Sequence, residues 1–229
     1  MYLVLDDLLA PTTVARAKAR LAALPAADWA DGRDSAGPQA RTVKSNLQLP
    51  HEHPVAAEIR ADVLAALNAS PLFLSAALPL RIFTPRVNRY DPGHPAYGWH
   101  VDNAVRLRGD GAHVRADLSC TVFLSDPEDC EGGELVIADG EVEHQLKLPA
   151  GSAVLYRGDT LHQVRPVTAG ARLACFLWVQ SLVPGDTERR ILHAMDMNLV
   201  ALRERFGESA ETTALTASFH QLLRLWARP

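Results

Sequence analysis

Tyr97-Gly-Trp-His-Val-Asp-Asn103 carries a His-x-Asp pair, His100 and Asp102, within an extended part of the chain. In a strand, residues i and i+2 point to the same face. One imidazole and one carboxylate are therefore offered to a single ion from one side of a sheet. His162 follows sixty residues later, in Asp159-Thr-Leu-His-Gln-Val-Arg-Pro-Val167, and supplies a third ligand. Two imidazoles and one carboxylate on one face of an ion suit ferrous iron and leave the opposite positions open for small ligands.

Arg172 sharpens this reading. Segments 161–167 and 171–178 are apolar and β-rich, joined through Thr168-Ala-Gly170, which predicts an antiparallel hairpin. With the turn centred on Ala169, Arg172 lies opposite Pro166 and Phe176 opposite His162, and all four share a face. His162 and the position facing Arg172 are then roughly 13 Å apart at strand rise. A guanidinium there suits the far carboxylate of a short dicarboxylic acid whose near end chelates the metal. Arginine fits the task because its planar fork grips carboxylates bidentately and keeps its charge.

Around this centre, strands are predicted at 117–125, 133–138, 142–148, 152–157, 161–167 and 171–181, following one over Arg81 to Arg89. Turn signals separate them, including Asp126-Pro127, Gly132-Gly133, Asp139-Gly140 and Pro149-Ala-Gly151. Short strands at such intervals mark a sandwich or barrel. Residues 103–116 read as an exposed loop near the metal. Its Arg106, Arg108, His113 and Arg115 offer positive charge to an acidic substrate, although a solvated loop is the reading favoured here. His94, in a turn-rich stretch, is an alternative ligand.

Composition agrees with an enzyme-sized globular chain. Its 229 residues, 48% hydrophobic, are enough to bury a full core. A net charge of -4 without a Lys/Arg run argues against nucleic acid and anionic membranes as partners. The opening Met1-Tyr-Leu-Val-Leu-Asp-Asp7 has no basic leader, and no stretch approaches a spanning length, so a cytoplasmic protein is expected. The three cysteines, Cys120, Cys130 and Cys175, are odd in number and lack Cys-x-x-Cys spacing, against a disulfide framework or zinc knuckle. Cys120 and Cys175 read as buried small hydrophobes.

The flanks are mostly helical. Residues 2–9 read as a strand, and a helix from Pro11 to about Leu24 shows Val14, Ala17, Leu21 and Leu24 as its apolar stripe. A loop over 26–38 and an extended segment over 41–49 follow. His51-Glu-His53 imitates a metal pair, but Pro54 behind it marks the start of a helix at 55–68, which favours a capping role. A short helix follows at 71–77. After Pro184-Gly185, one stripe of Ile191, Met195, Leu199, Leu202 and Phe206 and another of Leu215, Phe219, Leu222 and Trp226 predict a helical pair. The pair packs on itself and the sheets or, the reading slightly preferred, forms a homo-oligomer interface. Its second helix is poor in basic and base-reading side chains, against a helix-turn-helix.

Tyr90-Asp-Pro-Gly, His100-Val-Asp102, Phe123-Leu-Ser-Asp-Pro, Glu131-Gly-Gly-Glu-Leu135, Leu148-Pro-Ala-Gly-Ser152 and the run from His162 to Arg172 together resemble the iron- and 2-oxoglutarate-dependent dioxygenases. The similarity is closest to the PKHD-type hydroxylases of the prolyl/lysyl hydroxylase-like branch. It covers nearly the whole chain, since Asp31-Gly-Arg33, Val43-Lys-Ser-Asn46 and the C-terminal helices share it. The resemblance implies mainly β structure with flanking helices (α+β) around a double-stranded β-helix, or jelly roll, with N-terminal helices packed outside. It implies ferrous iron on His100, Asp102 and His162, and 2-oxoglutarate held by Arg172 with Tyr90 in the pocket. It implies hydroxylation of a peptide side chain or small molecule with release of succinate and carbon dioxide, and ascorbate as an accessory reductant. Phe123 stands where animal prolyl hydroxylases place a tyrosine that helps hold the cosubstrate, which leaves Ser119 and Thr121 as candidates for that second donor.

Three regions are expected: an N-terminal support region over 1–79, the jelly roll over 80–181, and the C-terminal helices over 182–229. Two other readings compete with the hydroxylase. A non-enzymatic jelly roll that senses iron or a dicarboxylate predicts binding without succinate release. A cupin-like metalloenzyme of different chemistry predicts no binding of 2-oxoglutarate.

Overall fold

Two antiparallel sheets face each other in the computed structural model, which describes residues 2–107 and 111–229. The larger runs Tyr2–Leu5, Ala153–Arg157, Leu118–Phe123, Arg172–Ser181, Arg86–Tyr90, Leu47–Gln48, Ala30–Asp31, with Pro79–Ile82 also beside Arg172–Ser181. The smaller runs Val142–Leu146, Leu135–Asp139, His162–Val164, Ala96–His100, Lys44–Ser45. From Arg86–Tyr90 to Arg172–Ser181 the chain passes repeatedly from one sheet to the other, as in a jelly roll.

The larger sheet is covered on both faces, and its strands show it. Along Arg172–Ser181, Leu173, Cys175, Leu177 and Val179 face outward. Their neighbours Leu118, Cys120 and Val122 do the same, and both sets pack against Val14, Ala17 and Leu21 of the helix Pro11–Ala22 and Val55, Ile59, Val63 and Leu67 of Pro54–Ala69. The alternate residues point into the space between the sheets. There Tyr90, Phe123, Val154 and Tyr156 meet Leu135, Ile137 and Val164 of the smaller sheet. The period of two thus sorts each strand into a face that carries the helices and a face that carries the cavity.

The structure corrects four expectations. Segments 161–167 and 171–178 are not a hairpin: His162–Val164 pairs with Leu135–Asp139 and Ala96–His100 in the smaller sheet, and Arg172–Ser181 belongs to the larger. Between them Val167–Gly170 turns aside to pair with Cys130–Gly132. Pro166 has no N–H to continue a ladder, and its carbonyl lies where a side chain on Gly132 would be, 2.0 Å from an ideal Cβ. Arg172 therefore faces Tyr90, not Pro166. Second, residues 41–43, expected to be extended, belong to a helix over Pro38–Val43, with Pro38 preorganising its first turn. Third, the 103–116 stretch contains a hairpin of Val105–Leu107 with His113–Arg115; Arg108 lies outside the described residues. Fourth, the helix Asp186–Phe206 buries Arg189, Leu192 and Leu199 and leaves Ile191 and Phe206 exposed. The buried Arg189 guanidinium donates to the Val183 and Pro184 carbonyls and draws that face inward.

Candidate metal centre and cosubstrate pocket

His100 and His162 stand directly opposite each other on neighbouring strands, their ring centroids 4.2 Å apart. Each ring has its Nδ1 beside a backbone carbonyl two residues upstream, His100 with Gly98 at 2.8 Å and His162 with Thr160 at 2.9 Å. A carbonyl only accepts, so each Nδ1 carries the proton and each Nε2 presents its lone pair. Tyr97 stacks on His100 at 3.5 Å and Tyr156 meets His162 edge-on at 5.1 Å, which fixes both ring planes. Burial, followed by repulsion from His162, pulls the His100 pKa down to about 3, so its imidazole is neutral, the form that ligates metal.

Asp102 lies just past the end of Ala96–His100, so no strand ladder orients it. Side chains do so instead. Ser119 Oγ donates to Oδ2 at 2.7 Å, and Arg106 Nη2 donates to Oδ1 at 3.3 Å. Burial pushes its pKa up, but His162, the Ser119 hydroxyl, Trp178 and Arg106 together outweigh that and hold it below the usual range. One ligand atom from each of His100, Asp102 and His162 falls within 4.8 Å of the others. His51, His53 and His94 join no such group among the described residues. His53 caps the helix Pro54–Ala69 by accepting from the Val55 N–H, as its spacing suggested, and His94 turns to Asp91 on the surface.

Arg172 enters the same cavity from the opposite sheet. It is 3% exposed, with its guanidinium carbon 5.3 Å from the ring centres of both Tyr90 and Phe123. Such stacking contributes up to about 2 kcal/mol per ring when desolvated, far short of the cost of burying a charge. Its Nε and Nη2 lack hydrogen-bond partners among the described residues, and burial draws its pKa down. A buried cation with spare donors in a planar fork fits a carboxylate. Gly133, at φ +74°, leaves the room: an ideal Cβ there would sit 3.1 Å from Arg172 Cδ.

The cavity contains residues that sequence reasoning placed differently or missed. Ser119 commits its hydroxyl to Asp102, which removes it as a second donor to the cosubstrate; Thr121 shares the inward face with Val154 and Phe176. Arg106 is no solvated loop residue, since its guanidinium lies 3.6 Å over Trp178. Arg115 is tied to Asp117 at 2.6 Å. Lys44, Asn46, Gln48, Asn88, Tyr97 and Tyr156 complete the lining. Parity could have flagged Asn88, two residues before Tyr90; nothing in the two-residue strands 44–45 and 47–48 could have done so for Lys44, Asn46 and Gln48.

Comparison with known proteins agrees with this geometry. Residues 85–180 match the model of the 2OG-Fe(II) oxygenase superfamily, and 186–228 that of the PKHD-type hydroxylase C-terminal domain. Among solved structures, a prolyl hydroxylase from Trichoplax adhaerens superposes with a TM-score of 0.55 at 15% identity, covering 83% of this chain and 86% of that one. A prolyl-4-hydroxylase of Pseudomonas putida gives 0.53 at 24% identity, over 79% and 92%. These share the fold. The protein is a ferrous iron- and 2-oxoglutarate-dependent dioxygenase, with dioxygen and 2-oxoglutarate as cosubstrates. PKHD-type hydroxylases of Polaromonas sp. and Verminephrobacter eiseniae are 57% and 54% identical to it, each over 99% of both chains. The chain belongs to the PKHD-type hydroxylases. No helix among the described residues is long and apolar enough to cross a membrane.

Proposed function

We propose that His100, Asp102 and His162 hold the ferrous iron, and that Arg172, with Tyr90 beside it, holds the distal carboxylate of 2-oxoglutarate. The observation that carries this is the pairing of two unlike binding capacities in one cavity: three converging ligand atoms on one wall and a buried guanidinium with spare donors on the other. Bound there, iron and 2-oxoglutarate supply an oxidative decarboxylation in which one oxygen atom of dioxygen enters succinate, the other enters the hydroxylated product, and carbon dioxide leaves. The chain's part is positional. Gly98 and Thr160 fix the imidazoles, Ser119 and Arg106 fix the carboxylate, and the Tyr90 and Phe123 rings keep the cosubstrate end dry.

The substrate in this reading is a peptide side chain or a small molecule, and the enzyme works in the cytoplasm with ascorbate as a supporting reductant. The regions 1–79, 80–181 and 182–229 serve as support, catalytic core and accessory helices. The exposed Phe206, Leu215 and Leu225 of the last region favour a homo-oligomer. The deciding experiment is anaerobic addition of ferrous iron and then 2-oxoglutarate, with the visible charge-transfer band as readout. The band is expected in the native protein and weakened in Arg172→Ala. Bound iron without a band would overturn the assignment.

A further inference from the structure

Residues 44–48 cross from one sheet to the other at the cavity rim. Lys44 pairs with Tyr97 in the smaller sheet and Gln48 with Asn88 in the larger, and Lys44, Asn46, Gln48 and Asn88 all line the cavity. These four polar residues are 6%, 1%, 6% and 6% exposed. Lys44 Nζ donates to Ser35 Oγ at 3.0 Å and lies 5.0 Å over the Tyr97 ring, which itself stacks on His100. No carboxylate among the described residues forms an ion pair with it. The Asn46 amide nitrogen is directed at the Tyr90 hydroxyl, while Asn46 Oδ1, Gln48 Nε2 and Asn88 Oδ1 have no hydrogen-bond partner among the described residues. Leaving such a group buried and unmatched opposes folding unless a ligand supplies the missing partner.

The arrangement is built, not incidental. The Gly32 N–H donates to the Asn46 carbonyl at 2.8 Å, and an ideal Cβ on Gly32 would stand 1.8 Å from Asn46 Oδ1, so only glycine admits that amide. Gln48 is held by its other end, Oε1 lying 2.8 Å from Ser35 Oγ, and its amide nitrogen is left without a partner among the described residues.

We propose that Lys44, Asn46 and Gln48 form a subsite for a carboxylate of the primary substrate, which is therefore a carboxylic acid and not the interior of a peptide. This rests on the iron and 2-oxoglutarate assignment above. Among the described residues that line the cavity, Lys44 is the cation left for it, since Arg106 is paired with Asp102 and Arg172 is assigned to 2-oxoglutarate. That suits a monoanion better than a phosphate dianion. Lys44 belongs to the sheet that carries His100, whereas Gln48 shares the larger sheet with Arg172, so displacement of 2-oxoglutarate is one of the outcomes tested below. The free oxygen of Asn88 favours a substrate that also carries an N–H or O–H.

The test uses the full-length protein loaded anaerobically with ferrous iron and 2-oxoglutarate. N-acetyl-L-amino acids are titrated in pairs, each as free acid and as primary amide, and followed by calorimetry and by perturbation of the charge-transfer band. At least one free acid is expected to bind about tenfold or more tighter than its amide, the scale of one charge-assisted hydrogen bond. Lys44→Met should bring the pair within about twofold, and Lys44→Arg should restore the preference. Amides binding as well as acids, no acid binding at all, acids bleaching the band by displacing 2-oxoglutarate, or a preference that survives Lys44→Met would each overturn the subsite. Should Lys44→Met fail to fold, Gln48→Leu must lower the acid-to-amide ratio instead. Absence of the band in the native protein before any titration would overturn the iron and 2-oxoglutarate assignment and with it this subsite; a band with no acid preference would overturn the subsite alone.

Discussion

The two ends of the cavity are satisfied in opposite ways. At the histidine end each ligand is held from behind by the protein: His100 by Gly98, His162 by Thr160, Asp102 by Ser119 and Arg106. At the arginine end, and along the 44–48 rim, buried donors face inward without partners among the described residues. At the first end the chain presents aimed lone pairs and an anionic carboxylate, which suit a cation; at the second it holds uncompensated positive charge, which suits anions. The difference separates substitutions that remove ligand attraction from those that relieve a folding cost.

The largest break in that contrast is at Asp102. Asp102→Ala removes the only carboxylate of the triad, and iron content by metal analysis should fall from stoichiometric to background, with turnover following. Stoichiometric iron and native turnover in this variant would refute the ligand set. Next comes Arg172→Met. The KM for 2-oxoglutarate should rise by about 100-fold or more, as expected when one partner of a buried charge pair is removed. Yet without cosubstrate the same variant should be more stable, by about 1–2 kcal/mol, because a buried unpaired charge has been replaced by an apolar stem. Chemical denaturation without 2-oxoglutarate checks this, and destabilisation there would show that the guanidinium is already compensated.

Ser119→Ala tests the other end at smaller scale. Groups that orient metal ligands typically contribute 10–100-fold, so iron affinity should fall by about that factor. At saturating iron the KM for 2-oxoglutarate should be unchanged. A selective rise in that KM would return Ser119 to the cosubstrate role that parity on its strand suggested.

That episode shows what the sequence can and cannot disclose. The inward positions of His100, His162 and Arg172 were legible because such positions recur with period two on any strand, whichever sheet it joins. Asp102, past the end of its strand, is instead turned inward by Ser119 and Arg106. The mutual geometry of these four was not legible. The 161–178 stretch looks locally like a hairpin, and only the close approach of the Pro166 carbonyl to Gly132 explains why the chain changes sheets. The N-terminal helix was readable from Val14, Ala17 and Leu21, since packing follows the 3.6-residue period. The rim residues Lys44, Asn46 and Gln48 were not, because two-residue strands have no period to detect. Their partners, Tyr97 and Asn88, lie some fifty and forty residues away in the chain.

The smallest effect isolates the space reserved for Arg172. Gly133 and Gly140 both have positive φ, +74° and +66°, but an ideal Cβ meets Val167 Cγ2 at 3.0 Å and Arg172 Cδ at 3.1 Å at the first and nothing within 4 Å at the second. Alanine at either position should lose about 1–2 kcal/mol to left-handed strain. Only Gly133→Ala should also push the Arg172 stem, raising the KM for 2-oxoglutarate by about three- to tenfold while Gly140→Ala leaves it unaltered. Because the backbone cost is common to both, the ratio of their KM values reports the position of the guanidinium and not the health of the fold. Equal KM values would mean that the arginine stem yields freely. The Glu131-Gly-Gly-Glu134 motif would then serve the Pro166 carbonyl at Gly132 alone.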